Sequence, residues 1–408
     1  MLLVTVLATA TGCRRSSGDE TGIPIATTGT AVPELLPLWT LRIEQAFGED
    51  STSGPGWTDP VPLGSDLAGN VYVIDPYLGE IHRFDFHGHY SGVAVGRGEG
   101  PGEIRSRPWT FGLAPQGLWF TELATGRVHY VPNDGSPAFT TSSGYTHLRL
   151  GARSLRIFPA SGWHPATYIL QAVFEHGLGS ALQPRQTVVL MRSRGSALDT
   201  TLTYSAISPS LRLDGGRTFI QSPAPNANPV LLADRSMERF ILISRPINAA
   251  TGESSRIVIR ILNSDGDTTR TGSLLVPRSR LSQAHRDSLL EVLLTNATLG
   301  GSRKVTPGVE SSLRAYVLGL GAELPGFEDA TLGPNHTIWL LESVPPIGAS
   351  AAQRWLVADS TLSPIARVAV PPNLTSLEFM PDGYWWGTLN RFTNPIVVRM
   401  SLQGEPKN

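Results

Sequence analysis

The chain has 408 residues, a formal net charge of −1 and 16% charged residues, so no basic surface for nucleic acid or another polyanion is expected. Its 42 glycines and 32 prolines suit many turns and few helices. A single cysteine, Cys13, excludes an internal disulfide, and no later stretch approaches the roughly 20 apolar residues of a membrane span.

Met1 to Ala10 is mostly apolar, and Ala10-Thr11-Gly12 precede Cys13. This resembles a bacterial lipoprotein signal over residues 1–12, whose cleavage would leave Cys13 as a lipid-bearing N-terminus. No Lys or Arg precedes the apolar run, which departs from the usual signal. The competing reading is a cytosolic chain with an apolar start and a chance cysteine. Residues 13–37 are rich in Ser, Thr, Gly and Pro and read as a flexible tether. Residues 38–404 read as one domain.

Trp39 to Phe47 is the first expected strand. From Gly69 the pattern sharpens. A Gly69-Asn70 turn leads to an alternating strand, Val71 to Asp75. A turn through Pro76 and Gly79 leads to Ile81–Phe86. His87-Gly88 then precedes Tyr90–Val95 and a Gly-rich loop. Short strands between compact turns make an antiparallel meander. The unit returns at Gly117–Glu122 with Arg127–Val131 and the turn Asn133-Asp134-Gly135. It returns more weakly at Ala166–Val173, Thr187–Met191 and Thr200–Ser205. Arg239–Ser244, Arg256–Leu262 and Gly272–Val276 form another unit. Thr337–Glu342 begins the next, and Gly383–Gly387 with Ile396–Met400 the last. Tyr72 and Trp119 stand 47 residues apart, and Trp339 and Trp385 stand 46 apart.

This repetition predicts an all-β fold, a six-bladed β-propeller of four-stranded antiparallel blades. Trp39–Phe47 is expected to pair with the last blade near Ile396–Met400, closing the ring and hiding an open edge. One helix is expected over Ser279–Asn296 and a second helical stretch over Ser311–Leu320. Together they make a short helical insertion, about 278–325, between blades four and five.

The run Arg83-Phe84-Asp85, Gly88 and Gly96-Arg97-Gly98-Glu99-Gly100-Pro101-Gly102-Glu103 resembles bacterial six-bladed β-propeller lipoproteins related to NHL-repeat proteins. The resemblance covers roughly Trp39 to Gln403. It implies the propeller fold and a place in the bacterial cell envelope, lipid-anchored at the membrane periphery. It implies no settled activity.

Gly96 to Gly102 lacks the Lys that a phosphate-cradling loop carries, and its neighbours are strands rather than a helix. It reads as a tight crossover between blades. The resemblance to NHL-like blades implies that this crossover lies on the face bearing the central pocket, which would cluster Arg97, Glu99, Glu103, Arg105 and Arg107 there. They serve either a ligand or a local Arg–Glu network. Asp75, Glu122 and Glu342 end the second strand of three blades. They either ring the axis, where Ca²⁺ is the metal they could hold, or accept backbone N–H groups locally. His87 and His89, near His82, have the spacing of a zinc pair without an evident third ligand. Asn263-Ser264-Asp265-Gly266-Asp267 lacks the closing Glu of a Ca²⁺ loop and reads as a turn.

The expected function is a monomeric, metal-free binding or scaffolding propeller without cofactor. Its partner is a protein or small-molecule ligand, with no nucleic acid, and a lipid anchor joins it to the membrane. The candidate ligand residues are Asp75, Arg97, Glu99, Glu103, Glu122 and Glu342. The alternative is a metal-dependent hydrolase or lyase, lactonase-like, acting from the axial pocket, with Asn390 and Asn394 as further possible ligands.

Overall fold

The computed structural model describes residues 29–48, 55–114, 117–122, 127–142, 154–159, 168–176, 185–194, 197–207, 210–213, 218–221, 228–234, 239–244, 254–277, 280–299, 305–320, 326–343, 353–390 and 394–404. The fold is mostly β. Two strands come first, β1 (Thr30–Ala31) and β2 (Leu38–Phe47). A first meander follows, of β3 (Val61–Ser65), β4 (Val71–Asp75), β5 (Glu80–Phe84) and β6 (Tyr90–Val95). The second contains β7 (Pro108–Ala114), β8 (Gly117–Glu122), β9 (Arg127–Pro132) and β10 (Phe139–Ser142). The third contains β11 (Ser154–Pro159), β12 (Tyr168–His176), β13 (Arg185–Arg194) and β14 (Ala197–Ile207). A separate hairpin, β15 (Ser210–Leu213) with β16 (Thr218–Gln221), leads to the fourth. That meander contains β17 (Val230–Ala233), β18 (Arg239–Ser244), β19 (Ser254–Asn263) and β20 (Thr268–Pro277).

Helices α1 (Gln283–Leu299) and α2 (Pro307–Gly319) come next. The fifth meander contains β21 (Phe327–Leu332), β22 (Ile338–Glu342), β23 (Arg354–Ala358) and β24 (Pro364–Ala369). The chain ends in β25 (Leu374–Phe379), β26 (Trp385–Leu389) and β27 (Ile396–Gln403), and β2 supplies their fourth strand. Thr40 pairs with Gln403 and Phe47 with Val397, antiparallel, so the N-terminal strand joins the C-terminal meander as the sequence led one to expect.

Apolar clusters lie at the seams between consecutive meanders. Tyr72, Ile74, Leu118 and Phe120 join the first to the second. Leu190, Phe240, Leu242 and Leu262 join the third to the fourth. Ile241, Ile259, Leu340 and Leu356 join the fourth to the fifth, and Trp339 meets Trp385 between the fifth and the last. Phe47, Val71, Val73, Phe84, Trp386 and Val397 bring the last meander back to the first. First strands approach one another between several meanders, β3 with β7, β7 with β11, and β21 with both β17 and β25, while the last meander meets β3 through β26.

The hairpin turns follow local chemistry. The Asp85 carboxylate accepts N–H bonds from His87 and His89, which ends β5 at Phe84 rather than at Phe86. Asn263 does the same for Asp265 and Asp267, and Asp359 for Thr361 and Ser363. Gly88 and Gly266 supply the positive φ these turns need, at 88° and 86°. In the third turn Leu362 takes that place, with φ 69°.

Two expectations are corrected. The aromatic repeat aligns Trp386, not Trp385, with Tyr72 and Trp339. Gly69 N–H donates to Asp66 O in the first turn, and Gly383 N–H to Met380 O in the last. Trp386 is therefore the third residue after its turn glycine, as Tyr72 is after Gly69. The expected tether is also docked in part. Thr30 and Ala31 pair in parallel with Leu274 and Leu275, and Val32 is buried in the seam between the fourth and fifth meanders.

The helical pair begins where its caps allow. Thr306 accepts the Val309 N–H and Pro307 opens the helix, so α2 starts earlier than the apolar pattern alone indicated. Arg286 of α1 donates to the Val317 and Leu320 carbonyls, which satisfies the end of α2. Leu289, Leu293, Val309, Leu313 and Val317 then bury together with Leu211 of β15.

Candidate functional site

Antiparallel parity puts every crossover between meanders at one end of the strands. The first-to-second and third-to-fourth strand turns lie at the opposite end. The Gly96–Arg107 crossover, the β15–β16 hairpin and the α1–α2 pair all leave from the crossover end. Asp75, Glu122 and Glu342 end their strands there too.

Asp75 is fully buried. One carboxylate oxygen accepts the Thr58 and Asp59 N–H groups, at 2.5 and 3.0 Å. The other accepts those of Tyr77 and Leu78, at 2.9 and 3.2 Å. The side chain thus ties the chain entering β3 to the β4–β5 turn. Glu122 repeats this in the second meander. Its Oε1 accepts Arg105 N–H at 2.6 Å and Ser106 N–H at 3.0 Å, where the chain enters β7. Glu342 differs. It pairs with Arg367 at 3.0 Å, and Arg367 donates to the Pro33 and Glu34 carbonyls. This pair holds the N-terminal segment on the fifth meander.

The crossover is tied to itself. Arg97 and Ile104 form an isolated parallel bridge, and Glu103 accepts Gly100 N–H at 2.7 Å. Glu99 and Arg105 form an exposed pair at 3.4 Å. The Arg107 guanidinium lies 3.8 Å from the Tyr77 ring centroid, joining the crossover to the turn that Asp75 holds. The structure therefore brings Asp75, Arg97, Glu99, Glu103 and Glu122 into one continuous region, with Glu342 apart on the fifth meander. Among the described residues, no three His, Cys, Asp or Glu side chains are grouped to hold a metal ion. The carboxylate ring that would take Ca²⁺ is accordingly not formed by Asp75, Glu122 and Glu342. Cys13 lies outside the described residues.

Sequence reasoning grouped His82 with His87 and His89 by proximity in the chain. The structure separates them. His87 and His89 stand on the β5–β6 turn, where His89 meets Asp85 at 2.9 Å. His82 is buried in β5 and matches His129 of β9. Val73 faces His82 across the first meander, and Phe120 faces His129 across the second. Each ring bonds through Nδ1 to a fourth-strand hydroxyl, Tyr90 at 3.1 Å and Thr140 at 3.0 Å. Each Nε2 sits near a carboxylate, Glu80 at 3.5 Å and Glu122 at 3.7 Å. The signal in the sequence was the spacing of 47 residues, the same as between Tyr72 and Trp119.

Burial lowers the pKa of both histidines, and Glu80 with Asp75, or Glu122, opposes the shift only in part. The folded state thus favours neutral imidazole. The unfolded chain takes up protons first as pH falls below about 6.5. Stability is full above that pH and is lost as pH falls toward the lower folded value. The melting temperature should drop from about pH 7 to about pH 5. Replacing both histidines by Gln should flatten that slope. An equal slope in the double variant would show that other groups set it.

No protein-family model and no curated protein sequence matches the chain. Solved structures match the chain at low identity. An exported protein from Bacteroides fragilis is 10% identical, with 92% of this chain and 99% of that one covered, at TM-score 0.44. The calcium-binding protein regucalcin from Agrobacterium tumefaciens is 9% identical over 90% and 97%, at 0.41. A gluconolactonase from Xanthomonas campestris is 10% identical over 92% and 98%, at 0.40. At these identities and TM-scores the likenesses assign neither a family nor an activity to this chain.

Proposed function

We propose that the protein is a six-bladed β-propeller held at the bacterial cell envelope by lipid on Cys13, and that it works as a scaffold binding a protein or small-molecule ligand on its crossover end. The observation that carries the fold is the return of the seam. Phe47, Val73 and Trp386 pack the last meander onto the first, and β2 completes the last sheet. The crossover end is the working face because, among the described residues, it bears the large excursions, the β15–β16 hairpin and the α1–α2 pair buried against one another. Variable loops on a rigid frame are where binding residues concentrate. Arg97, Glu99, Glu103, Arg105 and Arg107 are exposed along the Gly-rich crossover, and Glu99 pairs with Arg105.

A photo-reactive residue at Glu99 should give discrete adducts in intact envelope, and one at Asp134, on the opposite end, should not. Adducts at Asp134 alone, or equal adducts at both, would move the working face. Cys13→Ser should release the chain from the membrane fraction, since an acyl chain contributes about 0.8 kcal/mol per buried CH₂. Unchanged fractionation would remove the anchor from the proposal. The lactonase-like alternative requires Asp75 and Glu122 to leave their backbone N–H partners for a metal. A rise in melting temperature on adding calcium or zinc, abolished in Asp75→Asn, would favour it.

A further inference from the structure

The end opposite the crossovers carries a cleft. It opens along the seam between the fourth and fifth meanders, with a volume of ≈ 460 Å³. It is an open, shallow depression. Two arginines line it, Arg239 at the start of β18 and Arg270 in β20, with Asn263, Thr269 and Ser360. Local structure explains why they meet there. Arg239 pairs with Asn263 across β18 and β19. The β19–β20 register shifts between Ile261 and Leu262: Arg270 pairs with Ile261, Thr268 pairs with Leu262, and Thr269 is left as the extra residue. Such a bulge bends a strand and re-aims its side chains. Thr269 turns its hydroxyl to the Ile261 carbonyl.

The two arginines are held differently. Arg270 crosses the seam and donates from Nη1 to the Ser360 carbonyl at 2.6 Å, beside Asp359. Asp359 itself is engaged by Thr361 and Ser363. Arg239 has its Nε buried with no hydrogen-bond partner. Two planar forks in one cleft suit an oxyanion, which accepts paired N–H bonds from guanidinium.

We propose that this cleft binds a small oxyanion, a phosphate or carboxylate group, between Arg239 and Arg270. The site is independent of the crossover end and of any metal. The test is the melting temperature of the full chain, titrated with sodium phosphate or sodium acetate against chloride at equal ionic strength. Wild type should show a saturable rise with one or both oxyanions, and the stronger of the two identifies the ligand group. Arg239→Gln and Arg270→Gln should each weaken the apparent affinity by about tenfold, the scale of one charge-assisted hydrogen bond. Arg314→Gln, an exposed helical control, should leave it unchanged. No saturable rise in wild type, or a rise kept in both cleft variants, would overturn the proposal. If a cleft variant does not fold, lysine at the same position tests the site: charge is kept, the fork is lost, and affinity should still fall.

Discussion

Deleting residues 38–48 should abolish cooperative unfolding of the whole domain, not trim one edge. This segment is β2. It completes the last sheet through β27 and touches β24 in parallel. It buries Trp39, Leu41 and Phe47. Phe47 packs on Phe84 of the first meander and on Trp386 of the last, with ring centroids 5.6 and 5.4 Å apart. Its loss would open the seam where the chain's two ends meet and bare the edge of β27 to pairing with another chain. Phe47→Ala alone should cost about 3–5 kcal/mol, the usual scale for a buried phenylalanine. Against a total stability of about 5–15 kcal/mol, that is a large fraction. Urea unfolding followed by tryptophan fluorescence measures both effects. A deletion variant with an unchanged midpoint would show that the seam does not depend on β2.

The second large effect is expected at Asp75. Asp75→Ala removes the acceptor for four backbone N–H groups at once. Each buried donor left without a partner costs about 1–3 kcal/mol, and water entering the gap would recover part of this. The loss should reach about 3 kcal/mol or more. Asp75→Asn keeps one acceptor oxygen but turns an amide toward N–H donors, so it too should lower stability, by about 2 kcal/mol. Glu122→Gln should behave alike, because its Oε1 holds Arg105 and Ser106 in the same way. Equilibrium unfolding decides the matter. Stability unchanged in Asp75→Asn would mean that the carboxylate serves a ligand and not the fold.

These two residues show why the site was only half legible. A carboxylate at the end of three second strands is visible in the sequence. Whether it faces an axis or a backbone depends on where the entering chain passes. Thr58 and Asp59 reach Asp75 only once β3 has paired with β4. The histidines teach the same lesson. His82, His87 and His89 are close in the chain, yet a strand buries the first and a turn exposes the others. The Trp385–Trp386 pair could not be resolved by composition, since both are tryptophan. A one-residue slip changes the face of a strand, and only the turn's hydrogen bonds set the register.

The local elements were determined by the sequence by itself. Alternating apolar residues and Gly, Asn or Asp turns specify β4, β8, β22 and β26 as second strands, because strand period and turn chemistry act over a few residues. The same local logic marks the Gly96–Gly102 crossover and the two helices. Tertiary structure alone decided the long-range ties: Thr30–Ala31 on β20, Arg367 on the Pro33 and Glu34 carbonyls, Arg286 at the end of α2, and the meeting of Arg239 with Arg270. Their partners are far apart in the chain or separated by a bulge, and no local pattern encodes which carbonyl or which cleft a long side chain will reach. That is settled when the seams pack, because apolar burial fixes the sheets first and the polar groups are then satisfied by whatever backbone lies within their reach.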